Sequence, residues 1–430
     1  MRILVVGSGG REHALTWALA EDPDTSAVYA APGNPGIGEI AKCIPIDPGN
    51  LKELSSFAAQ EHIDLTVVGP EAPLAAGIVD HFHERHLRIF GPARDAAKIE
   101  SSKSFAKTLC AEHNIPTPRW KTFVEATKAK RALDQLGPPW VIKADGLASG
   151  KGTTVTGVRR EAEDAIQTEL QRVSGRVVIE EFVDGWESSF TATLSGGRVV
   201  WLAPVFQDYK PIFDDDAGPN TGGMGVYSPL PQVSDRLVGK VRERIFDPAV
   251  RAMAERGIGF QGVLYLNVIV PHGREDPLLL EFNARFGDPE AQGIMPLVRK
   301  GLLAHMYAIA EDSENPPLPE VSSSASVAVV LASEGYPSNP STGGVIRVRA
   351  FPRRNILLFH AGTARSSNGE LVTAGGRVLN VVATGLDVES ARKDAYSVIG
   401  SAVGFPGMQY RHDIGSDKVR HRRLAPVSTG

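Results

Sequence analysis

An acidic and an amide side chain stand two residues apart in the run LEFNARFGDPE, from Leu280 to Glu290. Residues two apart on a strand face the same side, so Glu281 and Asn283 are expected to point together. Carboxylate and amide oxygens are hard ligands that suit Mg²⁺ bridging nucleotide phosphates. Arg285 follows with a planar fork for a carboxylate or a phosphate. A buried set with only a structural role is the alternative.

A glycine-rich loop with lysines at both ends lies between two predicted strands, in the run KADGLASGKG from Lys143 to Gly152. It fails the P-loop pattern, because Asp145 holds the required glycine position and Gly152 replaces the Ser or Thr that would bind magnesium. A hairpin of this composition can still fold over a triphosphate, with its amides on the oxygens and Lys143 neutralising charge. An ordinary hairpin is the alternative.

Two further segments combine acidic residues with turns. In IEEFVDGWE, from Ile179 to Glu187, a strand ends in two acids; its backbone could read an adenine and Glu187 could hold a ribose. A solvated acidic strand end is the alternative. In DDDAGPNTGGMG, from Asp214 to Gly225, the glycines can cradle an anion. The three leading aspartates look like a metal cluster, but a charge run in a loop is more often solvated.

The first glycine cluster, Gly7 to Gly10, stands between a predicted strand and a predicted helix. A dinucleotide fingerprint needs a third glycine, where this chain has Glu12, and an acid near the end of the second strand, where Ala31 stands. These residues argue against NAD. The amides at the start of the helix still suit a phosphate or a carboxylate, with a tight turn as the alternative.

The composition narrows the class of protein. The chain has 430 residues, which suggests roughly three domains of about 150 residues. Hydrophobic residues make up 42% of the chain, which is enough for several cores. With a net charge of −4, the chain does not have the overall positive potential expected of a nucleic-acid binder. The basic tail 418–423 is expected to be solvated. Two cysteines exclude a disulfide scaffold and favour a reducing compartment. No apolar run approaches the roughly 18 residues that span a membrane.

Strand and helix signals alternate over the first ninety residues and predict βαβ units with a parallel sheet. We expect a compact unit from the linker 114–120 to about residue 180, a long mixed region up to a Pro- and Ser-rich linker at 314–324, and a last unit from residue 325. Asp387 is expected to cap a helix, and Asp288 and Pro289 are typical of a helix start. His81, His83 and His86 are expected to be surface residues and not a metal site.

Six runs, taken in order, resemble phosphoribosylamine–glycine ligases (glycinamide ribonucleotide synthetases), a family of ATP-grasp enzymes. They are GSGGREHAL, VGPEAPL, IKADGLASGKG, IEEFVDG, GPNTGGMGVYSP and EFNARFGDPE, and the later FHAGT and GGRVLNV also match. The resemblance implies a multidomain α/β and α+β architecture with the ATP-grasp fold. The expected parts are an N-terminal parallel-sheet α/β domain (1–100), a central domain (101–122 and 188–324), a small lid domain (123–187) and a mixed C-terminal domain (325–430).

The resemblance also implies a function. The chain is expected to be an ATP-dependent ligase that joins glycine to 5-phospho-D-ribosylamine through a glycyl phosphate, giving glycinamide ribonucleotide, ADP and phosphate in de novo purine biosynthesis. Its cofactors are expected to be ATP and Mg²⁺ or Mn²⁺. We expect a cytoplasmic monomer with small-molecule substrates and no nucleic-acid or membrane partner. Another ATP-grasp carboxylate–amine ligase, or a catalytically weak nucleotide-binding relative, is the alternative.

Matching the family's motifs residue by residue assigns expected roles. The nucleotide is expected to contact Lys103, Lys143, Gly150, Lys151, Gly152, Glu180, Glu181, Val183 and Glu187. The metal is expected on Glu281 and Asn283. The expected catalytic residues are Arg285, Asp208, Lys210 and Asp288. The expected substrate-binding residues are Gly9, Gly10, Glu71, Asn220, Thr221, Gly222 and Gly223.

The chain departs from the family's pattern at three places. After Gln207 and Asp208 the family usually reads His-Lys-Arg, whereas this chain has Tyr209, Lys210 and Pro211. A basic side chain near the phosphates is therefore lost, which puts the role of that loop in doubt. Asn267 replaces a usual small residue at a place where many ATP-grasp enzymes carry a metal-binding carboxylate, so it is a candidate for a second metal. The predicted lid is also short between residues 171 and 176.

Overall fold

The computed structural model describes residues 1–148, 152–349 and 355–416. The sequence predictions for Gly150, Lys151 and the basic tail 418–423 lie outside these described residues. Within them, four larger sheets of five, four, five and four strands form, together with three two-stranded pairs. None of the helices in these ranges combines the length and the apolar character that crossing a membrane requires.

The first sheet contains five parallel strands in the order β3-β2-β1-β4-β5. Its central strand is fully buried from Ile3 to Val6, as a parallel sheet covered by helices on both faces requires. The predicted parallel sheet is therefore confirmed. Two short helices cover residues 71–83, and Gly77 at φ 91° separates them. The elements are β1 (Arg2–Gly7), α1 (Gly10–Ala20), β2 (Ala27–Pro32), β3 (Lys42–Cys43), α2 (Leu51–Gln60), β4 (Leu65–Val68), α3 (Glu71–Ala76), α4 (Ile78–His83) and β5 (Ile89–Phe90).

Two helices, α5 (Arg94–Ser101) and α6 (Lys103–Glu112), lead to a small antiparallel sheet. The Ser102 hydroxyl caps α6 by accepting a hydrogen bond from the Phe105 amide. This cap fixes the start of the helix, where Lys103 is the first residue. The small sheet has the order β6-β9-β7-β8 and its own hydrophobic core beneath two helices. We call it the lid sheet; its elements are β6 (Trp120–Phe123), α7 (Ala126–Leu136), β7 (Trp140–Ala144), β8 (Thr153–Thr156), α8 (Arg159–Leu170) and β9 (Val177–Glu181).

The central sheet is antiparallel, with the order β11-β10-β14-β15. Its longest ladder pairs Gly185–Leu194 with Gly262–Pro271, and the next ladder places Asn267 opposite Glu281. A π-helical segment, Arg242–Phe246, joins two of its helices. In chain order the elements are β10 (Gly185–Ser195), β11 (Arg198–Leu202), β12 (Gln207–Asp208), β13 (Gly225–Ser228), α9 (Asp235–Val241), α10 (Asp247–Glu255), β14 (Gly262–Pro271) and β15 (Leu278–Asn283).

The last large sheet has the order β12-β13-β18-β23-β20, so it joins strands from both sides of the boundary predicted at residue 325. Its central strands β18 and β23 are almost entirely buried. The elements are α11 (Glu290–Ile294), β16 (Val298–Lys300), α12 (Leu302–Ala310), β17 (Glu320–Val321), β18 (Ala325–Ala332), β19 (Arg347–Val348), β20 (Ile356–His360), β21 (Thr363–Arg365), β22 (Leu371–Thr373), β23 (Arg377–Gly385), α13 (Val388–Val398) and β24 (Val403–Gly404).

The two predicted helix caps have different outcomes. Asp387 caps α13 as predicted, since its carboxylate accepts a hydrogen bond from the Ser390 amide at 2.7 Å. The predicted cap at Asp288 is wrong, because Pro289 occupies the cap position of α11 and no side chain bonds to the helix start. The Asp288 carboxylate instead accepts a hydrogen bond from Gln292 at 2.7 Å, and this leaves it facing the cleft described below.

A buried pair of histidines connects α1 with β20. The His360 amide donates to His13 Nδ1 at 2.8 Å, and each residue is only 6% exposed. Burial, together with the nearby His360 ring, lowers the pKa of His13 to about 3. Burial and the charge of Arg365 lower the pKa of His360 to about 4. Both rings are therefore neutral in the folded protein at neutral and mildly acidic pH.

This pair predicts a loss of stability on acidification. The folded pKa values lie below the unfolded value of about 6.5, so the unfolded chain binds more protons below that pH. Between pH 7 and pH 5 each histidine should contribute a loss of up to about 2 kcal/mol in the free energy of unfolding. Urea denaturation at both pH values should show a smaller loss in His13→Gln, which keeps an acceptor without the titrating ring. Equal losses in the two proteins would contradict this.

Candidate active site

A cavity of about 350 Å³ lies between the lid sheet, strands β14 and β15, and the loop that follows β12. Most of the predicted site residues line it, and they come from separate segments between residues 71 and 288 of the chain. Gly9, Gly10 and Gly223 do not line it. The predicted residues in its wall are Glu71, Lys103, Lys143, Gly152, Glu180, Glu181, Val183, Glu187, Asp208, Lys210, Asn220, Thr221, Gly222, Glu281, Asn283, Arg285 and Asp288.

Two lysines share one buried carboxylate where the lid sheet meets α6. Glu180 is 1% exposed, and its two oxygens lie 3.0 Å from Lys143 Nζ and 3.0 Å from Lys107 Nζ. Burial alone would raise the pKa of Glu180, but the two lysine charges lower it below the usual value. Burial lowers the pKa of Lys107. The Glu180 side chain therefore holds Lys143 at the cavity wall and does not itself project as a free acid towards an adenine.

The predicted metal residues lie side by side at the end of β15. Both Glu281 and Asn283 line the cavity, and Lys103 Nζ lies 3.2 Å from a Glu281 oxygen. Burial acts to raise the pKa of Glu281, but the charges of Lys103, Lys210 and Lys143 lower it well below its ordinary value. Glu281 is thus ionised, and an ionised carboxylate beside an amide oxygen is a donor set that fits Mg²⁺.

A third acid–lysine pair lies in the cavity wall. Lys210 Nζ lies 3.3 Å from Glu187 Oε2, and Asn267 donates to the same oxygen from 3.3 Å. Although burial opposes it, the charges of Glu187, Glu281 and Asp208 raise the pKa of Lys210. The ammonium therefore stays charged inside the cavity. The role of Asn267 at a second metal stays a prediction.

Arg285 is already held by protein acids. Its Nε donates to Glu71 at 3.2 Å, and its Nη2 lies 2.9 Å from Glu100 Oε1. Nη1 also donates to the Phe286 carbonyl at 3.1 Å. Burial raises the pKa of Glu100, while the charges of Arg285 and Arg11 lower the pKa of Glu71 against its burial. The Arg285 guanidinium, which is expected to bind a substrate carboxylate or phosphate, therefore also holds Glu71 and Glu100 in the cavity wall.

A recess of two acids lies beside the loop after β12. Asp208 Oδ1 is buried and has no hydrogen-bond partner among the described residues. Burial and the adjacent carboxylate of Glu290 raise the pKa of Asp208 well above its ordinary range. Glu290 Oε1 accepts hydrogen bonds from Ser189 at 2.8 Å and Tyr265 at 2.9 Å, which fixes this carboxylate in place. Two neighbouring acids with an unsatisfied oxygen favour binding of a proton or of a cationic group.

The glycine loop before β13 has largely closed on itself. The Gly222 amide donates to Tyr336 Oη, and the Gly223 amide donates to Thr221 Oγ1, both at 3.0 Å. Arg377 Nη1 lies 2.5 Å from the Gly222 carbonyl and 2.8 Å from that of Asp288. Two of the amides expected to cradle an anion are therefore used within the protein, and Arg377 joins this loop to Asp288.

The first glycine cluster is filled by its own acid. Glu12 Oε2 accepts a hydrogen bond from the Gly9 amide at 2.6 Å. A Cβ at Gly69 would meet the Glu12 side chain at 2.1 Å, so this carboxylate occupies the concave side of the loop. The Glu12 carboxylate therefore occupies the position at this helix start where a bound anion was predicted. The roles of Gly9 and Gly10 towards phosphoribosylamine stay predictions.

The remaining acidic and histidine clusters are structural. Asp214 and Asp216 pair with His412 and Arg411 of the C-terminal segment. His81 shares a hydrogen bond with Ser55 at 2.9 Å. Across the ranges that the structure describes, no set of three or more His, Cys, Asp or Glu side chains is arranged to hold a metal ion.

Several residues in or next to the cavity wall were not identified from the sequence. Glu290, Arg377 and Arg11 stand within the runs that carry the family resemblance. Their place in those runs is the sequence signal that could have identified them. Lys107 and Glu100 lie on α6 and α5 outside those runs and resemble ordinary helix-surface charges. Only their packing against Glu180 and Arg285 shows that they belong to the site.

A solved structure shows the fold, and a family model defines the class of protein. The biotin carboxylase domain of 2-oxoglutarate carboxylase from Hydrogenobacter thermophilus, solved in complex with MgADP, has a TM-score of 0.72 at 16% identity, with 95% of this chain and 91% of that chain covered. This likeness shows the fold alone. Residues 101–291 match the family model described as phosphoribosylglycinamide synthetase, ATP-grasp (A) domain. The chain is therefore an ATP-grasp enzyme.

The particular family follows from the remaining matches. Residues 1–100 and 326–417 match the N and C domains of phosphoribosylglycinamide synthetase. Phosphoribosylamine–glycine ligase of Ralstonia nicotianae is 44% identical, with 98% of this chain and 100% of the relative covered. The relative from Brucella melitensis is 42% identical over 96% of this chain and 97% of its own. The Thermotoga maritima structure has a TM-score of 0.81 at 33% identity, covering 96% and 100%. The chain belongs to the phosphoribosylamine–glycine ligase family and is a ligase of purine biosynthesis.

The paired lysines predict how the site responds to loss of its buried acid. Glu180→Gln should cost about 3–5 kcal/mol in the free energy of unfolding, because two buried ammonium groups would lose the carboxylate that they share. Urea denaturation measures the difference. Glu181→Gln is the matched control, since its partner Arg119 is exposed and its loss should cost less than about 1 kcal/mol. Equal costs for the two variants would show that the Glu180 cluster is not strongly coupled.

Proposed function

We propose that ATP binds in the 350 Å³ cavity, beneath the β7–β8 hairpin, and phosphorylates glycine for amide formation with 5-phospho-D-ribosylamine. The observation that carries the proposal is the convergence of Lys103, Lys143 and Lys210 on one cavity that also contains Glu281 and Asn283. Three ammonium groups directed at one space suit a triphosphate.

The chemistry explains why such a site is needed. A carboxylate is a poor electrophile because its negative charge repels an incoming amine. Transfer of the γ-phosphoryl group to a glycine carboxylate oxygen releases ADP and gives glycyl phosphate. The amine nitrogen of phosphoribosylamine then attacks the carbonyl carbon, the bond to the phosphate oxygen breaks, and the nitrogen gives up a proton. No side chain needs to form a covalent bond with the substrate.

The protein's contribution is therefore position and charge. Lys103 and Lys143 are proposed to contact the phosphates, and Lys210 the group in transfer. Alignment of bound reactants can supply on the order of 7–11 kcal/mol of the barrier. The lid unit, 123–187, is proposed to exclude water that would hydrolyse the acyl phosphate. The central domain, expected at 101–122 and 188–324, is proposed to form the other side of the cleft.

The donor set suits a magnesium ion. Glu281 and Asn283 are the residues that would hold it, since one is ionised and the other offers an amide oxygen in the same wall. When bound there, the metal would neutralise charge that develops on the phosphates. Glu180, Glu181 and Val183 are proposed to line the adenine edge. Glu187 is proposed for the ribose, and Arg285, Asp288 and residues 220–223 for the acceptor side.

We assign the α-ammonium of glycine to the recess formed by Asp208 and Glu290. This ligand would satisfy the buried Asp208 oxygen that has no partner among the described residues, and it would relieve the repulsion between the two acids. Gly223 closes the recess tightly, because a Cβ there would meet Asp208 Oδ1 at 2.8 Å. The glycine carboxylate would then point back towards Lys210 and the phosphates.

One assay tests the proposed function directly. ADP formation should require glycine and freshly prepared phosphoribosylamine together, and the product should be glycinamide ribonucleotide by mass spectrometry. Turnover with other amino acids or amines would indicate another ATP-grasp carboxylate–amine ligase. Binding of ATP without glycine-dependent ADP formation would indicate a nucleotide-binding relative.

The metal assignment predicts a kinetic defect. Glu281→Gln should lower turnover roughly tenfold or more, with partial rescue at raised Mg²⁺, because one charged ligand is lost. Glu275→Gln, which removes an exposed acid elsewhere on the surface, serves as the control. Unchanged steady-state kinetics of Glu281→Gln across a magnesium titration would remove its metal role.

The ammonium assignment predicts a substrate-specific defect. Asp208→Asn should raise the KM for glycine roughly 10- to 100-fold, since a charged hydrogen bond contributes about 1.5–3 kcal/mol. The KM for ATP should change little. Asp235→Asn, at the exposed start of α9, is the matched control. An equal rise in both KM values would place Asp208 at the nucleotide instead.

A further inference from the structure

The loop from Tyr209 to Gly223, here called the Lys210 loop, reaches the cavity from one side only. Lys210 Nζ faces Glu187 there, and Asn220, Thr221 and Gly222 join it in the wall. The loop is closed on itself, because the Thr221 amide and hydroxyl donate to the Lys210 carbonyl at 2.8 and 2.7 Å. Its other side faces away from the cavity and is covered by the C-terminal segment.

Arg411 makes that cover. Its side chain is fully buried, and its guanidinium carbon lies 4.7 Å from the ring centroid of Tyr209. Nη1 donates to the Pro211 carbonyl at 3.1 Å and to Asp216 Oδ1 at 2.9 Å. One cation thus contacts both neighbours of Lys210 in the chain.

The segment around Arg411 is fixed at both ends. Asp413 accepts from Arg411 Nε and Nη2 at 2.7 and 2.6 Å, and from the Asp215 amide at 3.0 Å. Tyr396 Oη of α13 donates to the Arg411 carbonyl at 2.7 Å and accepts from the Ile414 amide at 3.2 Å. The guanidinium is therefore supported by a carboxylate and by a helix, and it is not free to follow movements of the loop.

A purely structural salt bridge would need none of the contacts with the backbone around Lys210. A fully buried guanidinium costs several kcal/mol to desolvate, so a contribution to stability alone is weak grounds for such a residue. Its contacts instead restrict the two residues that flank a cavity lysine, on the side that no substrate reaches. A shift of about 1 Å in a catalytic group can cost on the order of a hundredfold in rate.

We propose that Arg411 is a positioning residue, which fixes the Lys210 loop from behind so that Lys210 Nζ is held in the cavity. The kinetic part of this proposal rests on the proposed function. It adds a residue from the C-terminal segment, about 200 positions away along the chain, to those on which catalysis depends. Arg411 itself touches no substrate.

A double-mutant cycle tests the proposal. Arg411→Lys keeps the charge but loses the planar fork, and should lower kcat roughly ten- to a hundredfold. In the Lys210→Met background the same change should add little, because the group it positions is already gone. Arg365→Lys, on the exposed strand β21, is the matched control and should leave kcat unchanged. Fold losses that multiply in the double variant would show that Arg411 acts independently of Lys210 and would overturn the proposal.

A second readout is independent of the activity. Hydrogen exchange of the Thr221 and Met224 amides, which bond to the carbonyls of Lys210 and Tyr209, should accelerate in Arg411→Lys while exchange in the β1 to β5 sheet stays unchanged. Should Arg411→Lys fail to fold, Asp413→Asn keeps the volume and weakens the same support, and the same two readouts apply. Unchanged exchange in the loop of a folded variant overturns the proposal. Accelerated exchange in a protein without glycine-dependent ADP formation would refute the proposed function while retaining the positioning role.

Discussion

Each cavity lysine is paired with an acid of the cavity wall, and the other features of the site follow from this pairing. Lys103 lies against Glu281, Lys143 against Glu180 and Lys210 against Glu187, at 3.2, 3.0 and 3.3 Å. Without these acids, three ammonium groups around one small cavity would repel one another and lose charge through their pKa values. With them, the ligand-free site is stable, and an incoming polyanion meets lysines that are already charged and oriented.

This arrangement also explains why the chain needs three separate sheets to make one site. The lid sheet supplies Lys143 and Glu180. The central sheet supplies the two metal residues and Glu187, and the loop after β12 supplies Lys210, the partner of Glu187. A change of angle between the lid and central sheets would alter the distance between Lys143 and the end of β15. The Lys143 ammonium already donates to the Leu280 carbonyl at 3.2 Å across that junction.

Much of this architecture could be predicted from the sequence, for identifiable reasons. The parallel strands are continuous apolar runs, and Glu281 with Asn283 follows the alternation of a strand. The partners of the charged residues could not be predicted, because Glu100 and Lys107 carry no local pattern and meet Arg285 and Glu180 only through packing. The filling of the first glycine loop by Glu12 likewise depends on how β1 and β4 bring Gly9 and Gly69 around one side chain. The departure from the family pattern at Tyr209 has a physical explanation, because the Arg411 guanidinium packs over the Tyr209 ring.

The position of the bound nucleotide can be measured in a crystal structure with a non-hydrolysable ATP analogue, Mg²⁺ and glycine. We expect the phosphates to lie within hydrogen-bond distance of Lys103 and Lys143 beneath the β7–β8 hairpin, and the glycine ammonium to lie against Asp208. A nucleotide whose phosphates lie away from these lysines, or outside the cleft between the lid and central sheets, would contradict this.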